Sequence, residues 1–240
     1  MPYFESRLRV NFDDSNEVNS MLNFCEKLNI RNVILEPSNN IKNLSKDRLK
    51  IIEHISDINI HYRLNLRPLT LNMYKKDLRK YSKYPCFLSI ETSIKEIQIK
   101  AAKDSRVHVL SYSEPDNMKT ATLGVISLAK QNGTFIEFSL APIMIANKGS
   151  QSRNFRLLYR FTQLLLKIKP NYIISGNFKN PYKLRHPRNL SSICHTLLGM
   201  PLNKAKEGFS RNVEALLKQV KSLKNENFFQ DGIRLIKEDN

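Results

Sequence analysis

Short runs rich in valine, isoleucine and phenylalanine alternate with segments of helical periodicity along the whole chain. This alternation is typical of parallel strands that are joined by crossover helices. We count seven such units, in which the predicted strands are residues 6–12, 32–36, 60–66, 86–91, 107–112, 134–140 and 172–176. The pattern therefore predicts an α/β fold with a parallel sheet.

The segments between these strands repeat their apolar residues every three or four positions, as one buried helix face requires. One of them ends just before Pro170, and the one that starts at Pro187 is followed by Gly199, a residue suited to a C-terminal cap. The predicted helices are residues 18–28, 46–55, 71–81, 94–103, 120–130, 152–169, 187–198 and 204–223.

Seven strand-and-helix units in 240 residues favour a closed or nearly closed barrel of the TIM type. Ser89 and Glu91, and likewise Glu137 and Ser139, share one face of a strand, as polar residues in a small barrel interior would. An open, doubly wound sheet is the alternative. Because no glycine- and serine-rich linker or internal repeat divides the chain, we predict one domain, residues 1–223, and a polar C-terminal tail, residues 224–240.

Basic residues outnumber acidic ones by 39 to 22, which gives a net charge of +17. Residues 138–206, here called the acid-free segment, contain no Asp or Glu but twelve Lys and Arg residues. A surface that only keeps a protein in solution normally mixes both signs of charge, so a contiguous basic segment favours a polyanionic partner such as nucleic acid.

Within the acid-free segment, residues 179–188 are the leading candidate for RNA contact. They place an aromatic ring among four basic side chains: Lys179, Tyr182, Lys183, Arg185 and Arg188. Basic side chains neutralise phosphates and a tyrosine ring can stack on an unpaired base. The alternative is an ordinary connection that its two prolines stiffen. A second candidate is a helical strip formed by Arg153, Arg156 and Arg160, which could equally be a solvated face.

Catalytic groups of a barrel enzyme would lie at the C-terminal ends of the strands. The candidates there are Asn11, Glu36, Arg67, Glu91, Glu137 and Ser175. Three carboxylates, Glu36, Glu91 and Glu137, could hold a magnesium ion and serve a stand-alone phosphoesterase. Equally, Glu91 or Glu137 could pair with Arg67 in a buried structural network. We favour the network, because no recognisable base or nucleophile accompanies these positions.

Other cofactor and targeting signals are weak. The five histidines are scattered, the seven glycines form no nucleotide-binding fingerprint, and the three cysteines are widely spaced. We therefore expect no cofactor or metal bound by this chain. The lack of a signal-like or membrane-length apolar segment predicts a soluble protein of a reducing, cytoplasmic compartment.

Five segments carry a resemblance to a known family: residues 136–142, 174–176, 184–190, 197–199 and 210–212. In their order and spacing they resemble protein component 3 of archaeal ribonuclease P, the homologue of the thirty-kilodalton subunit of the eukaryotic enzyme. The last segment adds Arg211 to the candidate RNA contacts. The first predicted strand lacks the His-x-His that metal-dependent relatives carry, which favours a noncatalytic chain.

The resemblance implies a TIM-barrel-like protein, related to metal-dependent phosphoesterase barrels but without their activity. It implies a subunit that supports a catalytic RNA in removing 5′ leaders from precursor tRNA, with magnesium required by the RNA-catalysed holoenzyme. The implied partners are the RNase P RNA, the small protein component 2, other RNase P protein subunits and, through the holoenzyme, precursor tRNA. The family implies cytoplasmic, archaeal-type localisation.

Overall fold

The seven predicted strands form one parallel sheet in the order of the sequence. The computed structural model describes residues 2–38, 46–82, 84, 86–224, 228–230 and 233–234. Its strands are β1 Phe4–Val10, β2 Asn32–Pro37, β3 Asn59–Leu66, β4 Phe87–Ile90, β5 Val109–Tyr112, β6 Phe135–Ser139 and β7 Tyr172–Ser175. Every one lies within two residues of its predicted start, and the predicted alternation of strand and helix is confirmed.

The sheet curls until its first strand meets the chain that follows its last. Phe178, just past β7, forms a parallel bridge with Leu8 of β1. The amide of Arg9 donates to the Phe178 carbonyl at 2.8 Å, and the amide of Phe178 donates to the Arg7 carbonyl at 3.2 Å. The barrel is therefore nearly closed as predicted, and the open, doubly wound alternative is wrong.

The helices that cover the barrel are amphipathic, and several begin at a side-chain cap. Asp14, Thr70 and Asn147 each accept a backbone N–H in the first turn, and Gly199 ends a helix at φ 66°. The helices are α1 Ser15–Lys27, α2 Lys46–Glu53, α3 Leu71–Tyr81, α4 Lys95–Ala101, α5 Pro115–Thr120, α6 Leu123–Gln131, α7 Lys148–Ile168, α8 Pro187–Leu198, α9 Leu202–Gly208 and α10 Arg211–Lys224. None of the helices in the described ranges is long and apolar enough to cross a membrane.

Two predicted helices differ from the structure. The predicted helix 120–130 begins only at α6, where the hydroxyl of Thr122 caps it, and the short α5 before it was missed. The predicted helix 204–223 is divided into α9 and α10. Phe209 interrupts it because its side chain is fully buried and its carbonyl accepts the amide of Phe4 at 2.8 Å.

Helix α10 closes the end of the barrel at which the strands begin. Its apolar face, with Val213, Leu216 and Val220, packs on side chains from the strand starts, among them Phe4 and Phe87. This end is therefore apolar and sealed. Of the predicted tail, residues 225–227, 231–232 and 235–240 lie outside the described residues, while β8 Phe228–Gln230 pairs antiparallel with β9 Ile233–Arg234.

Candidate nucleic-acid interface

The barrel interior above that apolar end contains an ion network centred on Arg7 of β1. The Arg7 side chain is fully buried. Its Nε lies 2.7 Å from Oε2 of Glu36, its Nη2 2.9 Å from Oε2 of Glu91, and its Nη1 2.6 Å from Oγ of Ser113. One guanidinium thus binds a carboxylate of β2 and another from the residue that follows β4.

A second buried arginine, Arg63 of β3, binds Glu137 of β6 through two parallel hydrogen bonds of 2.8 and 2.6 Å. The hydroxyl of Ser175 donates to the same carboxylate at 2.7 Å. Glu91 does pair with Arg67, at 2.8 Å, but Glu137 pairs with Arg63. The expectation that Glu91 or Glu137 pairs with Arg67 is therefore confirmed for Glu91, while Arg63 binds Glu137 because it lies on the inward face beside it.

The arginines keep these carboxyl groups ionised. Burial by itself raises the pKa of a carboxyl group, but nearby guanidinium groups outweigh it here. Arg63 and Arg7 together hold the pKa of Glu137 at about 2. Arg7, with Arg67 and Arg9, holds the pKa of Glu91 well below its usual range. Glu91 and Glu137 are therefore charged at neutral pH.

These residues do not fit a metal centre. Arg7 lies among the three carboxylates considered as magnesium ligands, with contacts to Glu36 and Glu91 and 3.9 Å from Glu137. Its positive charge repels a cation at that position. Among the described residues no cluster of three or more His, Cys, Asp or Glu side chains is arranged to hold a metal ion. The barrel interior fits an internal ion network.

Glu5 lies apart from these arginine pairs, beside the junction of β1 with the chain after β7. Its carboxyl group accepts the backbone N–H of Gly176 at 2.9 Å and that of Arg7 at 3.1 Å. Burial raises the pKa of Glu5 to about 8 despite these hydrogen bonds, and the charge of Glu137 adds to the rise. Glu5 is therefore largely protonated at neutral pH.

Arg7, Arg9 and Arg63 belong to the site but were not predicted from the sequence. Of the strand-end candidates, Glu36, Arg67, Glu91, Glu137 and Ser175 belong to the network, while Asn11 bonds locally to Asp13 and Glu17. A signal existed in the spacing, since Glu5, Arg7 and Arg9 occupy alternate positions of β1, between apolar residues at Phe4, Leu8 and Val10. Alternate charges in a buried strand indicate a polar interior.

The loop between β7 and α8 lies at the opposite end of the barrel from α10. Tyr182 is 77% exposed, and its ring lies edge-on to Phe24 of α1 with centroids 5.2 Å apart. Asn180 accepts the amide of Tyr182 and begins a short 3-10 helix, Pro181–Lys183. The loop is thus ordered, and its aromatic ring faces solvent.

The two predicted arginines of this loop are exposed, and hydrogen bonds hold the Arg185 side chain and the Arg188 backbone. Nη1 of Arg185 donates to the carbonyls of Leu184 at 2.7 Å and Tyr182 at 3.1 Å. Arg188 lies in the first turn of α8, and its amide donates to Nδ1 of His186 at 3.0 Å. Burial and the Arg188 charge lower the pKa of His186, so this cap is neutral at neutral pH.

The structure brings part of α7 to the same end of the barrel. Asn154 of α7 lines one cavity together with Lys179 and Lys183. The predicted helical strip, whose members are all exposed, consists of Arg153, Arg156 and Arg160. Arg211 is separated from both, because it begins α10 at the sealed end. The predicted contacts therefore occupy two ends of the molecule.

A second basic surface lies outside the acid-free segment and was not predicted. An open cleft of about 560 Å³ between α3 and α4 is lined by five basic side chains, Lys75, Arg79, Lys100, Lys103 and Arg106. Arg106 is paired with Asp104 at 2.7 Å, and Lys100 with Glu96 at 3.3 Å. We call this surface the α3–α4 cleft.

Comparisons with known proteins agree with the sequence resemblance. A family model described as RNase P subunit p30 matches residues 5–225. The fold is similar to that of a chain in the cryo-EM structure of archaeal ribonuclease P with mature tRNA, with a TM-score of 0.80 and 16% sequence identity over 98% of this chain and 99% of that chain. A comparison with curated proteins gave no match. Because the family model spans nearly the whole sequence, the chain belongs to the RNase P subunit p30 family and is a protein subunit of ribonuclease P, which acts in tRNA processing.

Proposed function

We propose that this subunit binds the RNA of the ribonuclease P holoenzyme through the loop between β7 and α8, and so supports removal of the 5′ leader from precursor tRNA. The observation that carries the proposal is the exposed ring of Tyr182 within an ordered loop that also presents Lys179, Lys183, Arg185 and Arg188. This loop lies at the end of the barrel opposite α10, which we call the open end.

The chemistry of this surface suits single-stranded or looped RNA. Each lysine or arginine that neutralises a phosphate releases counterions, which favours binding. Arginine can contact a phosphate through two hydrogen bonds, whereas lysine acts as a point charge. The exposed face of Tyr182 offers a stacking platform for a base. Because the loop is already ordered, less conformational entropy is lost when RNA binds.

The arginines of the helical strip on α7 form a second part of the proposed RNA-binding surface. Arg153, Arg156 and Arg160 follow one face of α7 at steps of three and four residues, so they can track an RNA backbone. Arg211 at the sealed end would contact a different part of the RNA. A large catalytic RNA can reach both ends of a domain of this size.

The remaining partners follow from the family. We propose component 2 and the other RNase P protein subunits as protein partners, with Met144 and Ile145 beside the open end as one apolar contact. Phe228 and Phe229 are the alternative contact, and the structure describes only their backbone. Magnesium is required by the RNA-catalysed holoenzyme and is not held by this chain, which works in the cytoplasm of an archaeal-type cell.

The test is leader cleavage by a holoenzyme that is reconstituted with and without this chain over a range of magnesium concentrations. We expect the chain to raise the cleavage rate most at low magnesium, where RNA folding depends most on protein cations. A rate that does not change at any magnesium concentration overturns the proposal. Elemental analysis of the purified chain gives the matched test of the phosphoesterase alternative, which requires a tightly bound stoichiometric metal.

A further inference from the structure

A cavity of about 430 Å³ lies at the end of the barrel where the strands finish. Among the side chains that line it are Arg9, Ser113, Asn154, Asn177, Lys179 and Lys183. Pockets that hold small ligands have volumes of roughly 300–1,000 Å³, and barrel proteins place their ligand sites at this end. The cavity is thus large enough for a mononucleotide, and it lies where a barrel ligand is expected.

Arg9 lines this cavity, and its Nε and Nη2 atoms point to Glu36 and Glu91 at distances longer than a good hydrogen bond. Its side chain is 4% exposed and lies 3.3 Å from Glu36 and 3.9 Å from Glu91. Its Nε and Nη2 atoms are buried and make no hydrogen bond in the described structure. Arg7 makes the short contacts to the same two carboxylates. Because these long contacts pair Arg9 only weakly, its positive charge can act on an anion in the cavity that it lines.

The charge near the cavity also favours an anion. The interior network contains four arginines, Arg7, Arg9, Arg63 and Arg67, and three carboxylates, Glu36, Glu91 and Glu137, which leaves one positive charge. The rim adds Lys179 and Lys183 and only one carboxylate that lines the cavity, Glu114. Even with Glu114 included, the cavity has an excess of positive charge.

Asn177 provides the complementary group. It has a left-handed backbone, with φ at 57°, and is 8% exposed. Its Oδ1 atom is buried and accepts no hydrogen bond in the described structure. An unsatisfied acceptor requires a donor such as a hydroxyl group, which a simple inorganic anion lacks in its fully ionised form. A cationic residue, Arg9, and a residue with an unsatisfied amide oxygen, Asn177, therefore line the same cavity.

We propose that the open end of the barrel is a binding site for a ribonucleoside phosphate. The guanidinium of Arg9 and the ammonium groups of Lys179 and Lys183 bind the phosphate oxygens, and the side chain of Asn177 accepts a hydrogen bond from a ribose hydroxyl. The proposal does not require Arg185 and Arg188 to contact RNA, since neither lines the cavity.

The test is calorimetric titration of the full chain with adenosine 5′-monophosphate, with adenosine and 2′,3′-dideoxyadenosine 5′-monophosphate as probes that lack the phosphate or the hydroxyls. We expect one molecule of the monophosphate per chain, no measurable binding of adenosine, and binding of the dideoxy nucleotide that is weaker by about fivefold. A wild-type chain that binds no monophosphate, or binds adenosine equally well, overturns the proposal.

Variants locate the site. Arg9→Met and, independently, the exposed pair Lys179→Ala and Lys183→Ala should each weaken binding by about tenfold or more. The pair Arg185→Ala and Arg188→Ala, from the same loop, is the matched control and should leave nucleotide affinity unchanged. If Arg9→Met does not fold, the nucleotide affinity of the lysine pair still tests the site. Equal losses in the lysine and arginine pairs would show diffuse attraction and contradict the proposal.

Two oligoribonucleotides separate the sources of the phosphate. If a 5′-phosphorylated hexamer binds more tightly than its 5′-hydroxyl form, and the gain is lost in the lysine pair, the site takes an RNA end. If the two hexamers bind equally while the monophosphate binds, the site takes a free nucleotide. Both results support a ribonucleoside phosphate site, and failure of both ligands to bind contradicts it. RNA binding by the Arg185 and Arg188 surface is measured separately.

Discussion

Phe24 of α1 and Tyr182 of the loop after β7 form an edge-on aromatic pair, with ring centroids 5.2 Å apart. The pair fixes one edge of Tyr182 and leaves most of the ring exposed. Lys27 extends the same surface, since its Nζ lies 5.4 Å from the centre of the Phe24 ring. Helix α1 and the acid-free segment therefore contribute to one surface, although Phe24 and Tyr182 are 158 positions apart in sequence.

Replacing the Tyr182 ring should weaken RNA binding. Loss of one base–aromatic stack costs about 1–3 kcal/mol, so Tyr182→Ala should reduce RNA affinity by about fivefold to 150-fold. Tyr182→Phe keeps the ring and should bind RNA like the wild type. Filter binding of the RNase P RNA to the three proteins measures this. If the Phe variant binds as weakly as the Ala variant, the hydroxyl group matters and the stacking role is wrong.

The buried pair of Arg63 and Glu137 should dominate the stability of the barrel interior. Glu137→Gln leaves the Arg63 guanidinium buried without its charged partner, which costs about 3–5 kcal/mol in the free energy of unfolding. Arg67→Ala is the control, because Arg67 is about half exposed and Glu91 keeps Arg7. We expect a loss of about 1 kcal/mol or less there. Equal losses by denaturant unfolding at pH 7 would contradict the assignment.

Glu5 should make the stability of the protein depend on pH. Its pKa is raised from the model-compound range to about 8 in the folded state, so the folded protein binds more protons than the unfolded chain between these values. The contribution of Glu5 to the free energy of unfolding is therefore fully present below about pH 4.5 and is lost as the pH rises through about 8. Glu5→Gln should remove this loss.

The measurement is denaturant unfolding of the wild type and Glu5→Gln from pH 5 to pH 9. The glutamine oxygen can still accept the N–H groups of Gly176 and Arg7. Subtracting the two free energies of unfolding cancels the effects of the other titrating groups. This difference should shift in favour of the variant as the pH rises. Parallel stability curves would show that Glu5 is not buried in its neutral form.

The salt dependence of RNA binding distinguishes the loop from the α3–α4 cleft. For a single strand, the slope of log affinity against log salt is about 0.7 for each neutralised phosphate, so Arg185→Ala with Arg188→Ala should lower it by about 1.4. The pair Lys75→Ala and Arg79→Ala, in the α3–α4 cleft, should leave the slope unchanged. If the cleft pair lowers the slope as much as the arginine pair does, the α3–α4 cleft neutralises as many RNA phosphates as the loop.

Most of the fold could be predicted because its signals are local. Strand and helix periods are visible within a few residues, so all seven strands and the Gly199 cap were found. The break between α9 and α10 could not be found this way. It depends on a hydrogen bond from Phe4 to Phe209 and on Gly208, where a side-chain Cβ would lie 2.6 Å from Ile174. Both contacts join distant parts of the sequence.

The site shows the same limit. Strand-end reasoning identified Glu91, Glu137 and Arg67, but it missed Arg63, because a charged residue within a strand is normally assigned to the solvent face. Arg63 and Glu137 are 74 positions apart, and only closure of the barrel brings them together. The exposed basic loop could be predicted, because its basic residues and its tyrosine are visible in one short stretch of sequence. The unsatisfied groups of Arg9 and Asn177 are visible only in three dimensions.

The central claim is that Arg185 and Arg188 hold RNA for the holoenzyme, and leader cleavage by a reconstituted holoenzyme at physiological salt tests it most directly. The test variant is Arg185→Ala with Arg188→Ala. The matched control is Arg31→Ala with Lys50→Ala, two exposed cations outside the acid-free segment. Lys27 is unsuitable as a control, because it lies on the Phe24 ring beside the loop.

We expect the increase in cleavage rate that the chain produces to be smaller by about tenfold or more with the test variant. Its thermal unfolding should be nearly unchanged, because exposed arginines contribute little to stability. The control should cleave like the wild type. Equal activity of the test variant and the wild type, or equal losses in the test variant and the control, would contradict the assignment of RNA binding to this loop.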